Sequence, residues 1–270
     1  DPIIIHVFTS PGDYTVKLTV VDNDGLTNFT SHIVRVLLYK LELDVFTQKD
    51  PFSGRGPNQP SDAFAPQDQV ILYAEVVYNY APVENKMVTF EVTDPNGEVI
   101  VTRSNETDAN GIAVVDFRLA TNATFGIYNV FAQVSISERT ANDTLTFRVG
   151  WIVEIKSIDT VDQYGDPEIF FPRDQTVYFS LSVENIAFTP KNAIFTVSLH
   201  DETNQVIGVA DIRLEVPPGT SIYNVALNVQ IPDWTLVGNA AAHACALTNW
   251  PWDEGVPYSP ETSTTFFITP

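Results

Sequence analysis

The chain has 270 residues, 44% of them hydrophobic, and a formal net charge of −20 with a pI near 4.3. It is too long for one small β-sandwich, and it carries enough apolar residues to bury a sizeable core in each of two to three modules. So acidic a surface repels nucleic acid and anionic lipid and favours cations or basic partners, which excludes nucleic-acid binding. The one cysteine, Cys245, excludes an intrachain disulfide. No apolar run approaches the roughly eighteen residues a spanning helix needs, so no membrane span is expected in this segment.

Apolar and polar residues alternate from the start, with Val16, Leu18 and Val20 on one presumed strand face. The residues His6, Pro11-Gly12, Tyr14 to Val16, Leu18 to Val20, Asp22-Asn23 and Gly25 follow a specific pattern. It resembles the C-terminal half of a PKD domain, with Phe8 where Tyr is usual. The earlier half of that pattern is not among these residues. Two or three strands cannot close a sandwich, so residues 1–38 are expected to be completed by strands from elsewhere. Those strands come from the preceding half of a longer chain or, alternatively, from a neighbouring chain. Asp22 and Asp24 have the look of a calcium loop, but a bidentate Glu downstream is lacking and the turn is the preferred reading of Asp22-Asn23-Asp24-Gly25.

Leu37 to Val45 reads as a connecting strand. The Pro-, Gly- and polar-rich run from Gln48 to Asp62 reads as a surface excursion and a candidate contact loop. From Asp62 to Arg148 apolar-in, polar-out runs of five to eight residues are punctuated by Asp94-Pro95-Asn96-Gly97 and Asp108-Ala109-Asn110-Gly111. Asn-Gly tolerates the positive φ of tight hairpins, so these are turns, and the spacing argues for an antiparallel sandwich. Val88 to Val92, Asp94 to Gly97, Thr107 to Ala113 and Gly126 to Val130 resemble the MG2-type domain of macroglobulins and microbial surface proteins. Pro66-Gln67 stands where that pattern has Pro-Gly.

After Gly150 the pattern restarts. Phe171-Pro172-Arg173-Asp174-Gln175 aligns with Ala65-Pro66-Gln67-Asp68-Gln69, and Phe195 with Phe90, so the two modules read as tandem copies. Pro217-Pro218-Gly219 before an alternating strand resembles the CARDB type of adhesion-associated module. Ala242, Ala244 and Ala246 share one strand face, opposite His243 and Cys245. The modules are therefore placed at 1–38, 39–150 and 151–270, all-β, as tandem immunoglobulin-like β-sandwiches.

Four Asn-x-Ser/Thr sequons, at Asn28, Asn105, Asn122 and Asn142, fall at expected turns or exposed strand ends and favour a glycosylated surface protein. Asp159, Asp162, Asp166 and Glu168 cluster between the tandem modules, where a solvated acidic loop is expected. Trp250, Trp252 and Tyr258 are expected to plug the end of the last sandwich; stacking on sugar rings or filling a partner's pocket is the alternative. No nucleophile elbow, zinc-protease motif or phosphate loop occurs, so no catalytic residues and no required cofactor are assigned. The expected role is a structural module of an extracellular, cell-surface microbial protein, in a surface layer or filament. Its partners would be copies of itself or other surface proteins. An adhesion module that binds glycans or a protein, and the non-catalytic tail of a secreted hydrolase, are the competing readings.

Overall fold

The computed structural model describes residues 5–36, 40–219 and 222–270. The first stretch is a hairpin of β1 (Gly12–Val21) and β2 (Thr27–Val36). Then come β3 (Leu41–Thr47), β4 (Gln69–Tyr78), the short β5 (Ala81–Pro82), β6 (Met87–Thr93), β7 (Val99–Glu106), β8 (Ile112–Arg118), β9 (Gly126–Ile136) and β10 (Arg139–Val149). These make one sheet in the order β10-β9-β6-β7 and a facing one built on β3-β4-β8. The period-2 alternation is visible in the burial: Val88, Phe90 and Val92 are fully buried, while Met87, Thr89 and Glu91 point outward. Phe64, Phe90, Tyr128 and Phe147 fill the space between the sheets.

The next strands are β11 (Val153–Val161), β12 (Phe170–Pro172), β13 (Thr176–Asn185), β14 (Lys191–His200), β15 (Val206–Val216), β16 (Ile222–Gln230), β17 (Gly238–Leu247) and β18 (Thr262–Thr269). They pair as β18-β17-β14-β15 facing β11-β13-β16, the strand order of the first sandwich repeated element for element. The fold is all-β, with tandem immunoglobulin-like sandwiches. Pro66 precedes β4, and Pro172 precedes the matching strand β13 but is itself the last residue of the short β12; Phe90 and Phe195 lie buried on equivalent strands, β6 and β14. The buried alanines Ala242, Ala244 and Ala246 face the interior of their own sandwich.

Two local devices recur. In the first, Asp22, Asp94, Asp108, Asp162 and Asp201 each close a turn with the side-chain Oδ1, which accepts from the amides two and four residues on. The residue three beyond each is Gly25, Gly97, Gly111, Gly165 or Asn204, all at positive φ, so the chain takes a three-residue hairpin loop with a left-handed last position. In the second, a glycine at φ +153°, +141° and +141° starts β1, β9 and β17. Two residues on, the Tyr14 hydroxyl donates to Ser10 O (2.7 Å) and the Tyr128 hydroxyl to Thr124 O (3.0 Å). This is the tyrosine corner that marks the penultimate strand of an immunoglobulin-like sandwich.

The hairpin β1–β2 therefore has the local geometry of the last hairpin of a third sandwich. Tyr14 pairs with Val34 as Tyr128 pairs with Phe147. Among the described residues neither β1 nor β2 pairs with any third strand. Val16, Leu18 and Val20 are 47%, 61% and 59% exposed. The expectation that these side chains leave water is therefore not met within the chain. The connecting strand expected from Leu37 begins at Leu41, with residues 37–39 outside the described ones.

Candidate interaction surfaces: the joint, the open hairpin and the aromatic turn

Three residues, Gly150 to Ile152, separate β10 from β11, and the backbone on both sides is tied down. Gly150 N donates to Phe64 O, and Ile186 N donates to Ile152 O. The run from Gln48 to Asp62 is largely exposed, as a surface excursion is expected to be, and its end folds back along β10. Pro60 and Phe64 bridge in parallel to Thr146 and Val149, so the run covers an otherwise open sheet edge. Ser53, Ser61 and Asp62 are buried despite their polarity. Partners make such burial tolerable: the Ser61 and Thr47 hydroxyls bond to each other (2.6 Å), Thr47 N donates to Ser53 O, and Asp62 N donates to Phe52 O.

Asp62 is the centre of the joint. Its Oδ1 accepts from Ala63 N and from Phe188 N, both at 2.7 Å, and Oδ2 accepts from the Thr189 hydroxyl at 3.1 Å. One carboxylate of the first sandwich thus satisfies backbone and side-chain donors of the second. The Lys191 ammonium lies 4.0 Å away and donates to Thr189 Oγ1. Lys49 sits on the other side, over the Phe64 ring, and burial lowers its pKa against the pull of Asp68 and Asp62. Apolar contacts add to these bonds: Ala63 belongs to the core of the second sandwich, and Phe52 meets Phe188 edge-on at 5.8 Å. An apolar crevice of about 330 Å³ lies beside them, lined by Pro60, Ala63, Ile127, Ile186 and Phe188.

The aromatic turn occupies the β17–β18 connection. Antiparallel pairing of Ile194 with Leu247 and of Lys191 with Val216 places this connection at the joint end of the sandwich, with Phe188 and Pro218. Tyr258 does act as a plug: it is half-buried against the core and its hydroxyl donates to Asn192 O. Trp252 does not, which corrects the expectation for it, while Trp250 is half-buried. Their rings stack on each other at 4.8 Å and 9°, and Trp252 is 74% exposed. The stack is set by a 3-10 turn at Pro251–Asp253, where Asp253 N and Gly255 N both donate to Trp250 O.

The four sequons differ. Asn28 lies in β2 and Asn122 in a turn, both exposed, each with an exposed Thr two residues on. Asn142 is exposed but lies inside β10, not at a strand end, and its Thr144 hydroxyl donates to Asn58 Oδ1. Asn105 turns its Nδ2, the atom a glycan would join, onto Val114 O (2.8 Å), and Thr107 is buried with its hydroxyl on Val83 O. Asp22 and Asp24 lie together in the β1–β2 turn, where Asp22 Oδ1 serves the backbone. Among the described residues no three His, Cys, Asp or Glu side chains are placed to hold a metal. His243 Nδ1 pairs with Glu261 (2.7 Å), and Cys245 lies 3.8 Å from the same carboxylate. Burial first and Glu261 second hold the Cys245 thiol above its ordinary pKa.

Residues 1–35 match the PKD domain family. Among solved structures, the tetra-tandem repeat in the extending region of a large adhesion protein is similar, at 17% identity over 96% of this chain and 57% of that one, with a TM-score of 0.34. The native alpha-2-macroglobulin of E. coli is similar at 10% identity over 95% of this chain and 19% of that one, with a TM-score of 0.36. The chain thus spans just over half the length of the first and about a fifth of the second. No curated protein matches it.

Proposed function

We propose that this chain is a non-catalytic structural segment of an extracellular, cell-surface protein, one that holds immunoglobulin-like modules in a fixed succession. The observation that carries this reading is the joint. A three-residue linker, a buried carboxylate with partners on both sides and an alanine inserted into the neighbouring core leave the two sandwiches little freedom to swing. A protein that spaces its ends needs such joints, whereas one that clamps a ligand needs them loose. The match of residues 1–35 to the PKD domain family and the accessible sequons at Asn28 and Asn122 support the extracellular placement.

The test is mechanical. Asp62→Ala removes the shared acceptor and leaves the amides of Ala63 and Phe188 without it, at a cost of about 2 kcal/mol. Small-angle scattering of the wild-type chain is expected to fit one arrangement of the sandwiches, and that of the variant a broad ensemble. A wild-type curve that already needs an ensemble would sink the reading.

The assembly is part of the proposal. The face of β1–β2 bearing Val16, Leu18, Val20 and Val34 corresponds to the buried face of β9–β10. Its completion by further β-strands would remove that apolar surface from water at roughly 25 cal/mol per Å². A neighbouring copy would supply them in a surface layer or filament, and preceding polypeptide would supply them in a longer chain. Sedimentation of the chain at rising concentration separates the two: growth that Val16→Lys abolishes supports strand addition between copies.

In native material, mass spectrometry is expected to find glycan at Asn28 or Asn122 and none at Asn105. Calcium at Asp22 and Asp24 is testable by titration against the melting temperature. The tail of a secreted hydrolase is the competing whole-protein reading, and the native sequence adjoining Asp1 distinguishes it.

A further inference from the structure

We propose that Trp252 is a stacking platform for a neutral sugar ring, with Trp250 as its backing and the carboxylates of Asp253 and Glu254 as hydroxyl acceptors. The inference is independent of the spacing role, since it rests on a different part of the molecule. The Trp252 indole is exposed, and its place is fixed by the turn that carries it. The parallel contact with Trp250 covers one face of the Trp252 ring and leaves the other open. The turn that carries the pair is stiff. Pro251 fixes its first residue, Glu254 takes the left-handed conformation at φ +61°, and a side chain at Gly255 would collide with the Asn249 carbonyl. Asn249 is held in turn by Arg213 (2.8 Å) and donates its Nδ2 to Asp253 O. A platform immobilised before binding loses little entropy when a ligand arrives.

The chemistry selects the ligand. One flat, open, apolar face fits the C–H face of a pyranose, which covers an indole completely while its hydroxyls point outward to acceptors at the rim. Asp253 and Glu254, both exposed and next in the chain to Trp252, are acceptors of that kind. They also repel sulfated or uronic sugars, as does the net charge of −20. A cation is the less suitable occupant. Attraction to a single solvent-exposed ring face is weak, and tight ammonium sites surround the charge with several rings. The second well-exposed tryptophan, Trp234, has no ring stacked on it among the described residues and lies at the other end of β17, so it serves as an internal control.

The experiment is calorimetry and tryptophan fluorescence with the whole chain against neutral gluco-, manno-, galacto- and xylo-configured tetrasaccharides, with a lysine tetrapeptide as the cationic comparison. Saturable binding of at least one tetrasaccharide is expected, weakened tenfold or more by Trp252→Ala and unchanged by Trp234→Ala. Circular dichroism and the melting temperature show that both variants fold. No saturable binding across the panel would overturn the proposal, as would equal losses in the two variants. Trp252-dependent binding of the lysine peptide alone would overturn it in favour of a cationic partner.

Discussion

The hairpins β1–β2 and β9–β10 share a starting glycine, a tyrosine corner and a strand register, yet their fates are opposite. Tyr128, Val130, Ala132 and Val134 are at most 2% exposed, while Val16, Leu18 and Val20 stand in water. The hairpin conformation is thus written locally, in the corner and in the Asp22 and Gly25 turn. Burial is conferred by the sheets that face it. Stability follows burial, so equal substitutions in the two hairpins should have unequal effects.

The largest difference is expected for the valines. Val130→Ala deletes two methyls from a closed core and should cost about 2–3 kcal/mol in denaturant unfolding. Val16→Ala, at the matching position, should stay within about 0.5 kcal/mol until its sandwich is completed. A comparable loss at both would show that the first hairpin is already covered in solution. Next come the corners: Tyr128→Phe should cost about 1 kcal/mol of global stability. Tyr14→Phe should leave global unfolding unchanged and speed amide exchange in β1 and β2 alone.

Acid probes the shared turn chemistry. Backbone amides and hydroxyl partners hold Asp108 and Asp201 below the ordinary carboxylate pKa of 3.8, with Ile112 N the main cause for Asp108 and the Thr203 side chain for Asp201. Their folded values are depressed, so the stability they confer is complete above the unfolded value. It is lost as pH falls through the folded one. Asp201→Asn should therefore lower the melting temperature at pH 7 and flatten its decline below pH 4. The smallest effect is chemical: with its thiol pKa raised, Cys245 should alkylate more slowly at pH 8 than a free thiol.

Turns and repeats were legible in the sequence because their causes are local. Asp-x-Asn-Gly specifies a hairpin within five residues, and Pro66 with Pro172, or Phe90 with Phe195, needs only an offset to be seen. The joint was not legible. Gln48 to Asp62 is polar and rich in Pro and Gly, a composition that reads as solvent-exposed. The partners that hold it in place are remote: Phe188 N is 126 residues from Asp62 and Asp143 Oδ1 is 85 from Asn58. Trp252 failed for a related reason. A clustered aromatic residue reads as core, but its exposure depends on a turn whose shape Pro251 and Gly255 set together. Tyr258 met the simple expectation.

The parallel pairing of residues 60–64 with β10, repeated by β12 with β18, has a consequence when the chain is under tension. Each parallel segment follows the strand by which the chain enters its sandwich, β3 or β11, and lies beside the strand that leads out. Tension first reaches β3 and β11, which pair antiparallel with β4 and β13. Once either comes away, the parallel segment is drawn lengthwise past the outgoing strand, so in the first sandwich Ser61 N to Thr146 O and Phe64 N to Arg148 O strain together. An antiparallel hairpin pulled at its open end peels one bond at a time, and among the described residues β1–β2 has only that arrangement.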